Sequence, residues 1–230
     1  MAKPASKDKK ITRIDRRDKT GKIEVITGGM FSGKTGELIR RVVRAKLGQQ
    51  KVLSFKADLD NRYDDKKIVS HSGSSIESIA VPATAAGVMQ IEETIKEYEK
   101  KTGHIDVVAI DEVHFFDDSV VDLADKLADR GIRVILAGLD LNFADEPFPP
   151  MGRLLAKAEQ VDKLHAVCMV CGAEGTKTQL KKKFIDSLNE PIIGGAEKYE
   201  SRCRSCYQRY IKTEKKIPLA TKNSEKAKSK

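Results

Sequence analysis

Short runs of β-branched and apolar residues alternate along this chain with longer segments in which apolar residues return every three or four positions. Residues 22–27 (KIEVIT) predict a strand that runs into glycines, and residues 35–47 predict a helix, because Leu38, Ile39, Val42 and Val43 share helical spacing. A second strand is expected at 51–55, then an amphipathic helix over 84–101 closed by Gly103. Residues 107–111 are nearly all apolar, the pattern of a strand covered on both faces. A third helix over 119–130 stops at Gly131, and 133–139 reads as another buried strand. This β-α-β-α order predicts an α/β fold with a mostly parallel sheet and helices on both faces, since right-handed crossovers require it. The pattern changes after Pro147-Phe148-Pro149-Pro150: one helix around 152–159 and a short strand at 165–167 precede a segment of weak periodicity beyond Cys171. The organisation expected is a tail (1–21), a main domain (22–164), a small appended domain needing a staple (165–211) and a second tail (212–230).

With 230 residues and 40% hydrophobic residues the chain can fill a core. Its apolar runs, such as Val107-Val108-Ala109-Ile110, fall far short of the roughly 20 residues that span a bilayer, so no membrane partner is expected. The first ten residues, MAKPASKDKK, are basic without an apolar stretch, from which a cytoplasmic location is expected. The net charge of +9 suggests nucleic acid until it is divided: residues 1–22 carry +6 and 212–230 carry +5, which leaves the middle at −2. The basic ends, poor in apolar residues, read as disordered tails, and nucleic acid is not the expected partner of the core.

Chemistry enters at Gly28-Gly29-Met30-Phe31-Ser32-Gly33-Lys34-Thr35, which fits G-x-x-x-x-G-K-[ST] between a predicted strand and a predicted helix. Glycines let successive N–H groups turn toward phosphate oxygens, and the helix N-terminus adds its dipole. Lys34 is expected on the β- and γ-phosphates, and the Thr35 hydroxyl on Mg²⁺. A nucleotide site also needs an acidic residue at the end of a neighbouring buried strand. Val107-Val108-Ala109-Ile110-Asp111-Glu112 supplies two: Asp111 for the magnesium side, and Glu112, pointing elsewhere from the strand tip, as general base. Asp111-Glu112-Val113-His114 also spells the D-E-x-H of nucleic-acid helicases, so a P-loop ATPase with a nucleic-acid-binding zinc module is the competing reading. Against it stand the missing Arg-rich second domain and the near-neutral core.

Cys168-Met169-Val170-Cys171 and Cys203-Arg204-Ser205-Cys206 are two C-x-x-C units with 31 residues between them. Four thiolates in this arrangement suit one closed, structural zinc, although the gap exceeds that of common zinc ribbons. Redox dithiols are the alternative, disfavoured because neither pair is expected to open a helix after a thioredoxin-like strand.

Together the phosphate loop, Ile-Asp-Glu-Val-His-Phe-Phe, Leu-Asp-Leu-Asn-Phe, the two cysteine pairs and Ile193-Gly194-Gly195-Ala196-Glu197-Lys198-Tyr199 resemble cytosolic type II thymidine kinase over residues 22–211. The resemblance implies a RecA-like P-loop fold with a zinc-ribbon-like domain that carries a substrate lasso. It also implies transfer of the γ-phosphate of Mg-ATP to the 5′-hydroxyl of thymidine or deoxyuridine, feedback inhibition by dTTP, and a homotetramer. Glu112 falls on the family's catalytic base. Val113 and His114 fall beside the nucleotide, and Arg62 near the phosphates. Phe115 and Phe143 fall at the border of the thymine pocket, with Met30, Leu139 and Thr178 nearby. Glu190, Pro191, Ile192, Ile193 and Gly194, with Tyr199, fall on the lasso that closes over the base. Two positions depart from the family pattern: Gly29, often proline, is expected to loosen the loop slightly, and His114, often glutamine, is expected to titrate near pH 6.5 and alter ATP affinity on the acid side.

Overall fold

A computed structural model describes residues 21–58, 67–70, 73–182, 184 and 194–213. Arg62, Glu190, Pro191, Ile192, Ile193 and nearly all of both tails lie outside the described residues.

Six strands form one sheet: β1 (Lys22–Thr27), β2 (Val52–Asp58), β5 (Ile79–Pro82), β6 (Val107–Asp111), β7 (Arg133–Gly138) and β8 (Gln160–Lys163). Their order is β5-β2-β6-β7-β1-β8 and every pairing is parallel. Between β2 and β5 lies an antiparallel hairpin, β3 (Lys67–Val69) and β4 (Ser75–Glu77). The connecting helices are α1 (Lys34–Leu47), α2 (Ala85–Thr102), α3 (Ser119–Asp129) and α4 (Pro149–Lys157). Beyond the sheet come β9 (Ala166–Val167) paired with β10 (Glu174–Gly175), β11 (Lys177–Leu180) paired with β12 (Tyr199–Arg202), and α5 (Arg204–Thr213).

The sheet sorts its side chains by the two-residue period of extended backbone. Val108, Ile110, Val134 and Leu136 point to the layer of α2, α3 and α4, where they meet Ile91, Ile95, Val120, Leu127 and Leu154. Val107, Ala109, Ile135 and Ala137 face the other layer, built from Leu38, Ile39 and Val42 of α1 with Ile68 and Ile76 of the hairpin. Both faces of β6 and β7 are therefore dry, as their unbroken apolar runs predict.

The expected strands and helices are present, with differences that have physical causes. Helix α4 begins at Pro149, three residues before the expected start, because prolines at its first two positions need no hydrogen-bond donor there. Strands β5 and β8 are edge strands of four residues with little apolar patterning, and tertiary pairing makes them strands. The second cysteine pair does open a helix: Cys203 directly precedes α5 and Cys206 lies in its first turn, which corrects the sequence expectation. The strand bearing the acidic pair is also not the immediate neighbour of β1, because β7 lies between them.

Candidate functional site

The carboxyl ends of β1, β6 and β7 open on the same edge of the sheet, where open α/β sheets bind their ligands. Leaving β1, the chain turns through Gly28 at φ +135°, where a Cβ would lie 2.1 Å from the Leu164 carbonyl oxygen. No other residue fits both that backbone and that contact. Gly33 caps α1 in the left-handed region at φ +86°, leaving the first amides of the helix to face the loop. Inside the loop the Ser32 hydroxyl and the Lys34 ammonium each donate to the Gly29 carbonyl at 2.8 Å. Position 29 is thus held through its carbonyl, which limits the loosening expected from a glycine there.

Although β7 intervenes, the Thr35 hydroxyl donates to Asp111 Oδ2 at 3.0 Å. The two groups expected on the magnesium side are therefore within one hydrogen bond of each other. Burial raises the Asp111 carboxyl, opposed by the Glu112 N–H and the Thr35 hydroxyl. Glu112 follows at φ +54°, a left-handed conformation that costs a non-glycine residue about 1–3 kcal/mol. Its side chain is 45% exposed, and Oε2 lies 3.5 Å from His114 Nδ1. Burial, followed by the charge of Asp111, pushes the Glu112 pKa up to about 7. Lys34 is lowered by burial and supported by three carboxylates, Glu112, Asp111 and Asp140. Asp140, buried just after β7, pairs with Lys163 of β8 at 2.7 Å. Asp140 carries no role that its place in the sequence predicts, because only the parallel register of β7 beside β1 brings it to the loop.

His114 departs from its sequence expectation. Its ring is buried between Phe115 and Phe148, with centroids at 4.0 and 4.6 Å, and Nδ1 accepts the Leu139 N–H at 3.2 Å. Burial, then the charge of Lys34, lowers its pKa to about 3. The ring stays neutral at physiological pH and does not titrate near 6.5 as its residue type predicts. Val113 is wholly buried in the core.

The sulfurs of Cys168, Cys171, Cys203 and Cys206 lie within 4.8 Å of one another, a set that could hold one tetrahedral metal ion. Burial resists ionisation of Cys168, but backbone N–H donors hold its thiol at about 6, while Cys206 beside Cys203 is pushed up to about 12. Ionising all four at this separation requires a cation among them, and Zn²⁺ suits the donor set.

This cysteine region touches the phosphate loop. The Met30 N–H donates to the Thr178 hydroxyl at 3.0 Å, and Met30, Phe31 and Phe143 pack on Leu180 and Tyr199. Met30, Phe143, Thr178 and Tyr199, distant in sequence, thus form one wall. Phe115 instead joins His114 and Phe148 against the main core. Leu139 is fastened to His114, and Gly194 leads into the turn before β12.

The phosphate loop on a parallel sheet, with its carboxylates one strand removed, defines a P-loop nucleotide-binding protein of the α/β class. More narrowly, the thymidine kinase family model matches residues 21–207, and the chain belongs to that family. It is accordingly a nucleotide-binding kinase. No helix among the described residues is long and apolar enough to cross a membrane.

Proposed function

We propose that the protein transfers the γ-phosphate of Mg-ATP to the 5′-hydroxyl of thymidine, and of deoxyuridine, giving the nucleoside monophosphate. The observation that carries this reading is Glu112, a half-exposed carboxylate near enough to Lys34 and Asp111 to interact with both, next to the Thr35–Asp111 pair, in a chain of the thymidine kinase family. In-line phosphoryl transfer asks a protein mainly to position groups and to neutralise charge. The amides of residues 28–35 and the Lys34 ammonium bind phosphate oxygens. Thr35 and Asp111 hold Mg²⁺, directly or through water. Glu112, with a pKa of about 7, accepts the 5′-hydroxyl proton as attack develops.

Met30, Leu139, Phe115, Phe143 and Thr178 border the base in this reading. Glu190, Pro191, Ile192, Ile193 and Gly194, with Tyr199, close over it, and Arg62 reaches the phosphates. A pocket that packs the C5 methyl group gains only about 1–3 kcal/mol over the analogue lacking it, so deoxyuridine reacts as well. One zinc at the four cysteines organises the region 165–211; its chemistry is structural, with no open ligand position. Feedback by dTTP, a homotetramer and a cytoplasmic location belong to the same reading.

The test is incubation with Mg-ATP and each of thymidine, deoxyuridine, deoxycytidine and deoxyguanosine, measuring monophosphate formed and ADP released. Monophosphate from thymidine and deoxyuridine only, matched one for one by ADP, is expected. ADP release without monophosphate, raised by DNA or RNA, would replace this reading with a nucleic-acid-stimulated ATPase.

A further inference from the structure

The turn that carries Phe143 is tied to the cysteine region by two bonds that the phosphotransfer reading does not use. Residues 141–147 form a tight loop closed by the Leu141–Pro147 bridge. The Asn142 side chain accepts the N–H groups of Ala144 at 2.8 Å and Glu146 at 3.1 Å. At its tip Asp145 sits at φ +67°, a conformation that Asp adopts more readily than most residues. Its carboxylate pairs with the ammonium of Lys177 in β11, and Lys177 is 7% exposed. A lysine is seldom buried so far unless a partner compensates its desolvation. Behind the tip, the Tyr207 hydroxyl donates to the Phe143 carbonyl at 2.7 Å, from a side chain only 1% exposed. Burial, and then the charge of Asp145, pushes the Tyr207 pKa up to about 12, so the hydroxyl keeps its proton as the donor.

Both anchors adjoin residues of the site. Lys177 precedes Thr178, whose hydroxyl holds the Met30 N–H of the phosphate loop, and Tyr207 follows Cys206 of the sulfur cluster. A shift of β11 and α5 against the sheet therefore moves the Phe143 loop and the phosphate loop together.

We propose that Lys177, Asp145 and Tyr207 form a positioning clamp that sets Phe143 against the nucleoside and keeps that wall in register with the phosphate loop. This rests on the reading that the wall of Met30, Phe143 and Tyr199 receives a nucleoside. None of the three clamp residues is a catalytic residue; each acts through the Phe143 loop.

The test compares the full-length protein with Lys177→Met, Lys177→Arg, Asp145→Asn, Tyr207→Phe and the Lys177→Met/Asp145→Asn double variant. Asp145→Asn keeps the turn and lies at a partly exposed position, so it probes the pair if a buried change prevents folding. KM and kcat are measured for thymidine and for ATP, alongside amide hydrogen exchange of residues 141–147. For Lys177→Met the thymidine KM is expected to rise at least about fivefold, with the ATP KM within about twofold and faster exchange at 141–147. Lys177→Arg restores both readouts, and the double variant is no worse than the worse single one. Unchanged thymidine KM and exchange overturn the clamp. So does an equal loss in both substrates with only a lowered melting temperature, which marks a merely structural pair. If the unaltered protein phosphorylates no nucleoside, the functional reading fails on its own. The clamp's part toward the nucleoside then falls with it, and exchange at 141–147 decides only the tie to the loop: faster in Lys177→Met supports that tie, and unchanged overturns it as well.

Discussion

At the scale of single residues, the site depends on backbone that few side chains tolerate. Gly28 meets the Leu164 carbonyl so closely that Gly28→Ala must displace main chain, and loss of ATP binding by calorimetry in a still-folded protein is expected. Glu112 is placed by its left-handed turn, and its raised pKa gives a signed prediction. As the proposed base, Glu112 would work only when ionised, so kcat/KM for thymidine should fall tenfold per pH unit below about 7 and level off above it. Glu112→Gln should lower kcat by roughly 10²- to 10⁴-fold, with its circular dichroism spectrum unchanged. A variant that turns over normally would remove Glu112 from the mechanism. His114 shows the limit of residue type as a guide: histidine suggests a titrating group, but burial between two aromatic rings makes it a neutral acceptor for Leu139. The pH dependence of the KM for ATP between about 5.5 and 7 is expected to be the same in His114→Gln as in the unaltered protein.

At the scale of elements, α1 is fixed to the sheet by more than its apolar stripe. Arg41, 6% exposed, spans to Glu24 of β1 at 2.8 Å and to Asp162 of β8 at 2.6 Å, and it is supported by Glu37 one turn earlier. Arg133 of β7 and Lys22 also meet Glu24. Burial works against ionising Glu24, yet Arg133 and Lys22 hold its pKa at about 2. Because the folded value is lowered, this contribution to stability is complete above pH 4.5, the ordinary carboxyl value, and is lost as pH falls toward 2. Denaturant titrations between pH 2 and 5 should show that decline, and Glu24→Gln should flatten it. Arg41→Met removes one of three cationic partners of Glu24 and should cost about 1.5–3 kcal/mol, read from urea unfolding. A loss below about 1 kcal/mol would mean that Arg133 and Lys22 suffice for Glu24.

At the scale of the whole molecule, the nucleotide edge of the sheet and the cysteine region share one wall, so a metal held by the cysteines should be coupled to substrate binding. Stripping the metal with a strong chelator should release about one zinc per chain and open residues 165–182 and 194–211 to proteolysis, because the cysteines then reprotonate and lose the bonds that join the two pairs. Through Thr178, Lys177 and Tyr207 the change should also raise the thymidine KM. A chelated protein with unchanged proteolysis and no zinc in solution would show that the cysteines hold none.

The sequence by itself determined the parallel α/β layering, the phosphate loop, the acidic pair at a strand tip and the two cysteine pairs, because each is local: a period, a spacing or a run of residue types. The tertiary structure decided what depends on register and neighbours. It alone put β7 between β1 and β6, brought Asp140 to Lys34, and made strands of the weakly patterned β5 and β8. It also silenced His114 by burial and joined Lys177 to Asp145 across 32 residues. Contacts of that kind carry no periodic signature, since their energy comes from desolvation and partner geometry, and both exist only once the chain has closed on itself.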